Sequence, residues 1–81
     1  MLTGEQIQAA RVLVRMKQPE LAAAADVSVD TIKRLEGMRG TVAAQMKTVL
    51  TIKKVLEAAG VIFIDENGEG PGVRLRKSKL D

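Results

Sequence analysis

The polar side chains with the clearest arrangement for binding chemistry lie within residues 18–36, QPELAAAADVSVDTIKRLE. The stretch predicts two short helices, 19–25 and 29–36, because alanine is the strongest helix former and Ser28 can cap the second helix. Helical spacing places four apolar side chains on the inner sides of the two helices, where the helices meet: Leu21, Val27, Ile32 and Leu35. It leaves another set pointing outward: Ser28, Val29, Asp30, Lys33 and Arg34. A helix presented in this way can enter the major groove of DNA.

These residues resemble the helix-turn-helix of the Cro/CI-like (XRE-type) regulators of bacteria and phages. The resemblance rests on three motifs: Q-x-x-L-A starting at Gln18, V-S-x-x-T-I starting at Val27, and L-E at Leu35 and Glu36. Taken with the flanking helices, it covers residues 3–60. It implies a mainly α, four-helix lambda-repressor-like bundle, and a small transcriptional regulator, most simply a repressor, that binds operator DNA as a homodimer.

The resemblance implies a role for each outward residue of the second helix. Arg34 would donate two hydrogen bonds to guanine, while Lys33 and Ser28 would bind phosphates or bases. Val29 would touch a thymine methyl group. Asp30 would accept a hydrogen bond from a cytosine amine, although phosphates repel a carboxylate elsewhere in the groove. The plain alternative for all five is an ordinary solvated helix face.

Gln18, by the resemblance, and Arg39, by its position, complete the candidate DNA contacts. In the family, the residue at the position of Gln18 often clamps a phosphate, and Arg39 follows the second helix closely enough to contact the backbone. The chain departs from the family at Lys17, where a capping Ser, Thr or Asn is usual. Because Pro19 disfavours helical geometry at the preceding residue, we expect Gln18 to be the cap and Pro19 the first helical residue. Asp26 stands where the family commonly has Gly, and Asp tolerates the left-handed conformation at such a turn.

The remaining helices are predicted from caps and apolar spacing. Thr3 caps a first helix that runs to about Met16 and has apolar residues at helical spacing: Ile7, Ala10, Leu13 and Val14. A later helix spans 42–59 and has its own apolar face: Met46, Val49, Ile52, Leu56 and Ala59. Gly60 ends it. We therefore expect four helices around one aliphatic core in residues 3–60.

After Gly60 the pattern changes to extended structure. VIFI at 61–64 is β-branched and aromatic, and DENGEGPG supplies turn residues, so segments 61–66 and 72–77 are expected to pair as an antiparallel C-terminal β-hairpin. A two-stranded hairpin is marginal in water, so its apolar face needs either the helical core or the hairpin of a second copy. In the second case the dimer interface would contain three hairpin residues: Phe63, Val73 and Leu75.

Length and composition limit the classes of function. With 81 residues and a hydrophobic fraction of 46%, the chain supports one domain, 1–81. It contains no Cys and no His, which removes thiol chemistry, the usual neutral-pH acid–base residue and the commonest metal ligand. We therefore expect neither an enzyme nor a metal or cofactor site, and no small-molecule substrate. A calcium-like loop starting at Asp65 fails because Arg76 stands at its twelfth position, where a bidentate Glu is required.

The net charge of +3 comes entirely from the helical part. Residues 1–60 contain nine Lys and Arg against six Asp and Glu, whereas residues 61–81 contain four of each. The excess suits contact with phosphates, although the same charge could merely keep a small protein soluble. A basic run near the C-terminus could follow a nucleic acid or, more often, form a solvated strand edge: Arg74, Arg76, Lys77 and Lys79. The N-terminus lacks the order of a signal peptide and no apolar run approaches a membrane span, so we expect a cytoplasmic protein without membrane contact.

A second class of function uses the same scaffold without reading DNA. Asp26, Asp30, the altered cap and the low net charge favour an antiactivator, which would bind and inhibit a transcriptional activator protein. This alternative predicts tight association with the activator and only weak, salt-labile binding to DNA.

Overall fold

The computed structural model describes residues 2–77, which are mainly α and form four helices followed by a two-stranded hairpin. The helices are α1 (Gly4–Leu13), α2 (Gln18–Ala25), α3 (Val29–Glu36) and α4 (Met46–Ala58), and the strands are β1 (Val61–Ile64) and β2 (Gly72–Leu75). Lys79 of the predicted basic run lies outside the described residues. Within residues 2–77, no helix is long and apolar enough to cross a membrane.

α1 begins at the predicted cap and ends earlier than predicted. The Thr3 hydroxyl accepts a hydrogen bond from the Gln6 N–H, and the Gln6 side chain accepts one from the Thr3 N–H, both at 3.0 Å, which forms a capping box. The helix ends at Leu13 rather than near Met16, because Arg15 adopts the left-handed conformation with φ of 56°. Leu13, which the spacing places on the buried face, is exposed.

α2 and α3 are joined by a short turn that largely follows the prediction. Asp26 adopts the left-handed conformation, with φ of 57°, and Ser28 caps α3. The expected cap of α2 is wrong, because Lys17 is the extended residue and Gln18 is already helical. The Glu20 carboxylate accepts the Lys17 N–H at 3.0 Å, which holds Lys17 extended and allows Gln18 to enter the first turn.

α4 begins at Met46 rather than at residue 42. The Val42 N–H donates to the Leu2 carbonyl oxygen at 3.0 Å, and Thr3 and Thr41 form an isolated antiparallel bridge. These contacts hold the segment extended beside the N-terminus, so a helix cannot start there. Met46 and Ala59 are exposed instead of lying on the buried face.

The core is aliphatic and lies between the helices. Its fully buried side chains come from all four helices and from β1: Ile7, Leu21, Ile32, Leu35, Ile52, Leu56 and Val61. Burying each of these side chains stabilises the fold by about 1.5–3 kcal/mol. Because Leu21 of α2 and both Ile32 and Leu35 of α3 belong to this set, apolar packing holds the two short helices together.

The hairpin forms where the sequence predicts it. Gly60, with φ of 115°, ends α4 and leads into β1, which pairs antiparallel with β2. The strands are shorter than the expected segments 61–66 and 72–77. The Glu66 carboxylate accepts two N–H groups of its own turn, at 2.6 and 3.0 Å, so the chain curls there instead of extending the ladder.

The apolar face of the hairpin packs against the helical core of its own chain. Phe63 and Val73 are opposite each other in the ladder, and both are half-buried against the core. The Gln6 side-chain amide donates to the carbonyl oxygens of Ile64 at 3.2 Å and Gly72 at 3.0 Å. The sequence allowed the hairpin to pack either on the helical core or on the hairpin of a second copy. In the structure it packs on the helical core.

Gly4 lies where α1 passes close to the end of α3. A Cβ atom here would lie 2.5 Å from the Leu35 carbonyl oxygen and closer still to that of Met38, and neither main-chain atom can yield easily. We expect Gly4→Ala to lower the free energy of unfolding in urea by about 2 kcal/mol, the usual scale of overpacking. Gly37→Ala is the matched control, because its Cβ would meet nothing closer than 3.4 Å. An equal loss for both variants would contradict this close approach.

Candidate functional site

The outer face of α3 is the candidate site, and its orientation is set by the cap and by two buried side chains. Ser28 Oγ accepts a hydrogen bond from the Thr31 N–H at 3.1 Å and lies 2.9 Å from the Thr31 hydroxyl oxygen. The cap satisfies one of the free N–H groups in the first turn. Ile32 and Leu35 are fully buried on the inner side of the helix. The opposite side of α3 is therefore the side presented to solvent.

Four of the five residues expected to point outward from α3 are exposed: Ser28, Asp30, Lys33 and Arg34. The exception is Val29, which is half-buried and packs against the core. Val29 precedes Ile32 by three residues and so lies close to the buried side of the helix. Its fully outward placement is therefore wrong, and only part of its side chain is open to solvent.

Arg39 is exposed in the loop that follows α3. Within the part of the chain that the structure describes, the only ion pair lies elsewhere, in the interior. Lys33, Arg34 and Arg39 are therefore free of carboxylate partners there, and Asp30 is the one acidic side chain of the exposed α3 set. The loop and the outer face of α3 together carry an excess of positive charge.

A partly buried polar cluster of Arg11, Gln18 and Glu36, here termed the Glu36 cluster, joins α3 to α1 and α2. Arg11 donates from Nε to Glu36 Oε2 at 2.7 Å and from Nη2 to Oε1 at 3.0 Å, a bidentate pair. Gln18 Nε2 donates to the same Oε1 atom at 3.0 Å. The Arg11 and Glu36 side chains are 14% and 4% exposed, so water screens their attraction little.

The Glu36 cluster changes what Gln18 can offer to a ligand. The residue is half-buried, and one of its two amide hydrogens is used inside the protein. A phosphate contact here would use the second amide hydrogen or the main-chain N–H at the start of α2. The phosphate-clamp role of Gln18 stays a prediction.

The structure does not bring the candidate dimer residues to this face. α3 packs against α1 and α2, whereas the hairpin packs against α1 and α4. Phe63 and Val73 are half-buried against the core, and Leu75 is exposed. The hairpin set and the α3 set therefore belong to separate regions of the molecule.

Sequence reasoning missed the Glu36 cluster and the contact of Gln6 with the hairpin. Arg11 follows Ile7 by four residues, and Glu36 follows Ile32 by four, so each charge shares a helix face with a fully buried side chain. Because a buried charge requires a partner, this spacing could have been used to predict that Arg11 and Glu36 pair. The spacing of Gln6 from its helix cap signals a capping box, but its bonds to the hairpin have no local signal.

Comparison with known proteins adds no family assignment. No family model matches the chain, and no curated protein matches it. Within residues 2–77, no group of three or more Asp and Glu side chains is arranged to hold a metal ion. The candidate site therefore rests on the geometry of its own residues.

Glu36→Ala tests the importance of the buried pair. We expect the free energy of unfolding to fall by about 3 kcal/mol, because Arg11 would be left buried without its partner. The double variant Arg11→Met/Glu36→Leu replaces both charges by apolar side chains. In urea unfolding, its loss in the free energy of unfolding should be smaller than the summed losses of the single variants Arg11→Met and Glu36→Leu. The control is Glu69→Ala, which removes an exposed carboxylate and should change stability by about 0.5 kcal/mol at most. Additive losses in the double variant would contradict the coupling.

Proposed function

We propose that this protein is a small transcriptional regulator that binds double-stranded DNA through α3. One observation supports this most directly: a capped helix is seated on the core with a basic side facing solvent. Ile32 and Leu35 are fully buried beneath α3, while Lys33 and Arg34 are exposed on its other side. In this proposal α2 and α3 form the helix-turn-helix of a lambda-repressor-like bundle, and α3 enters the major groove.

Each exposed residue of α3 has a role in the proposal. Arg34 donates two hydrogen bonds to a guanine, a contact worth about 1–3 kcal/mol of discrimination between bases. Lys33 and Ser28 bind phosphates or bases, and the open part of Val29 touches a thymine methyl group. Asp30 accepts from a cytosine amine, the one base partner that favours a carboxylate at this position.

Arg39 and Gln18 would position the helix on the DNA backbone. Phosphate contacts set the orientation of a protein on the duplex, and base contacts then specify the sequence. Arg39 is free to reach a phosphate from the loop after α3. The Glu36 cluster holds the first residue of α2 at a fixed distance from α3, so both contacts would move with the recognition helix as one unit.

Two copies would bind together in this proposal. A two-fold axis places half-sites one helical turn apart, about 34 Å. The longest dimension of one copy is 36 Å, which is of the same size as that spacing. The hairpin is a weaker candidate for the subunit contact than the sequence suggests, because Phe63 and Val73 already pack on their own core and Leu75 alone is exposed.

The proposed regulator acts by occupancy rather than by catalysis. Binding to an operator in the cytoplasm would exclude polymerase or an activator from the same DNA. The chain has no His and no Cys, and this mode of action needs no cofactor and no small-molecule substrate.

A second candidate function is supported by the acidic residues near α3. Asp26 and Asp30 are both exposed, and a carboxylate opposite DNA is unfavourable unless it meets a cytosine amine. An antiactivator would use the same surface to bind a transcriptional activator protein instead of DNA. It would associate tightly with that protein and bind DNA only weakly.

Lys33→Ala/Arg34→Ala separates the two functions. We expect the double variant to lose retention of DNA from immediately upstream of its own coding region in a gel shift. For the native protein, the slope of log affinity against log salt should be steeper than that of the variant by about 1, the change expected when the Lys33 contact to a phosphate is lost, while the loss of Arg34 removes the contact to guanine. The matched control is Lys53→Ala/Lys54→Ala, which removes the same charge from α4 and should retain the DNA.

Equal loss in both double variants would indicate a general charge effect and not a site on α3. Undiminished binding by the α3 variant would refute the assignment of this helix. Negligible binding by the native protein at low and high salt, together with tight association with an activator, would favour the antiactivator.

A further inference from the structure

One edge of β2 has unpaired main-chain groups. The sheet contains two strands, so β2 has a neighbour on one side only. The Arg76 N–H donates to the Gly60 carbonyl oxygen at 2.6 Å, and antiparallel pairing alternates along the ladder from that pair. By this alternation the N–H and C=O groups of Val73 and Leu75 point away from β1. No main-chain acceptor in the turns and loops of the described residues takes up either N–H.

A shallow, largely apolar groove lies beside this edge. It has a volume of about 500 Å³ and is lined by Glu5, Gln8, Ala9, Val12, Leu13 and Val73. We term it the α1–β2 groove. Val12 is 61% exposed although its side chain is apolar. Because α1 packs mainly on β2 while α4 packs on β1, the open edge of β2 lies on the groove side of the hairpin.

The two faces of β2 differ in chemistry. Successive side chains of a strand point to opposite faces. Val73 and Leu75 therefore share the face that adjoins the groove, while Arg74 and Arg76 share the outer face. Both arginines are exposed, and neither forms an ion pair within the part of the chain that the structure describes. Arg76 Nη2 donates one long hydrogen bond, of 3.5 Å, to the Glu57 carbonyl oxygen, which leaves its other N–H groups for a ligand. The edge thus combines main-chain donors and acceptors with an apolar side and a cationic side.

We propose that the open edge of β2 binds an extended acidic segment of a partner protein as a third strand. Its main chain pairs with Val73 and Leu75, its apolar side chains enter the α1–β2 groove, and its carboxylates lie opposite Arg74 and Arg76. The segment therefore alternates apolar and acidic residues.

Charge complementarity favours this occupant over the alternatives. Antiparallel pairing of β2 with β2 of a second copy would place the arginines of both copies on one face at close range, and like charges opposite each other destabilise a sheet. A nucleic acid would use the arginines but neither the main-chain edge nor the apolar groove. Only an acidic, partly apolar peptide uses all three features.

This inference does not rest on the proposed function. The groove is formed by α1 and β2, whereas the proposed DNA-binding face is on α3. The Lys33→Ala/Arg34→Ala variant should therefore keep its affinity for the peptide, whether or not α3 reads DNA.

The test uses three short fluorescein-labelled peptides and the full-length protein. The first alternates valine and glutamate, the second replaces glutamate by lysine, and the third replaces valine by serine. Fluorescence anisotropy should give an affinity for the first peptide about tenfold or more above the other two, because each lacks one of the two side-chain contacts. In amide spectra, the first peptide should shift the signals of Val73 and Leu75.

Two variants examine the groove and the charges separately. Val12→Glu places a carboxylate in the groove and should weaken binding of the valine–glutamate peptide about tenfold. Leu50→Glu is its matched control, because Leu50 is an apolar residue of α4 that is 45% exposed and does not line this groove, and it should leave the affinity unchanged. Arg74→Glu should lower the affinity for the valine–glutamate peptide and raise the affinity for the valine–lysine peptide. Amide spectra of each variant establish that it folds.

Equal affinity for all three peptides, or an unchanged affinity in folded Val12→Glu, would overturn the proposal. So would a shift from dimer to monomer in Val12→Glu on sedimentation, which would assign the groove to a second copy. Displacement of the peptide by duplex DNA from the native protein and from Lys33→Ala/Arg34→Ala alike would assign the arginines to nucleic acid instead.

Discussion

The arrangement of the first three helices depends on the buried carboxylate of Glu36. A charge inside a protein is stable only when it is paired and hydrogen-bonded, and Glu36 meets both conditions through Arg11 of α1 and Gln18 of α2. One side chain therefore connects three helices, with donor distances of 2.7 to 3.0 Å that leave little freedom in the angle between α2 and α3. Together with the buried Ile32 and Leu35, this network decides which side of α3 faces solvent.

The neutral side chain of Gln6 connects the hairpin to α1. Gln6 closes the capping box of α1 with its oxygen and donates its amide hydrogens to both strands. The residue that helps start α1 thus also anchors a two-stranded hairpin that would be marginal alone. α1 is the common support of the fold, because it contacts α3 through Arg11 and the hairpin through Gln6. Changes at either residue should therefore act on elements distant in the chain.

The two exposed regions differ in chemistry because they are built on different kinds of backbone. Beyond its first turn, the main chain of a helix is hydrogen-bonded internally, so the outer face of α3 presents mainly side chains, which suits the edges of bases in a groove. A strand at an edge presents its main chain as well, so β2 suits an extended peptide. The shared helix α1 keeps the two regions apart, and a small chain can in this way carry two proposed binding surfaces.

Local structure was determined by the sequence alone, because caps, turns and helical periodicity depend on residues close together in the chain. Thr3, Asp26, Ser28 and Gly60 mark the boundaries that the pattern predicts, and the exposure of Lys33 follows from helical spacing. The partial burial of Val29 did not follow, because it lies at the border between two faces. Only the tertiary structure decided the late start of α4, the pairing within the Glu36 cluster and the packing of the hairpin on α1. Each of these depends on atoms far apart in sequence, and their meeting becomes favourable only when the packed core brings them together and excludes water.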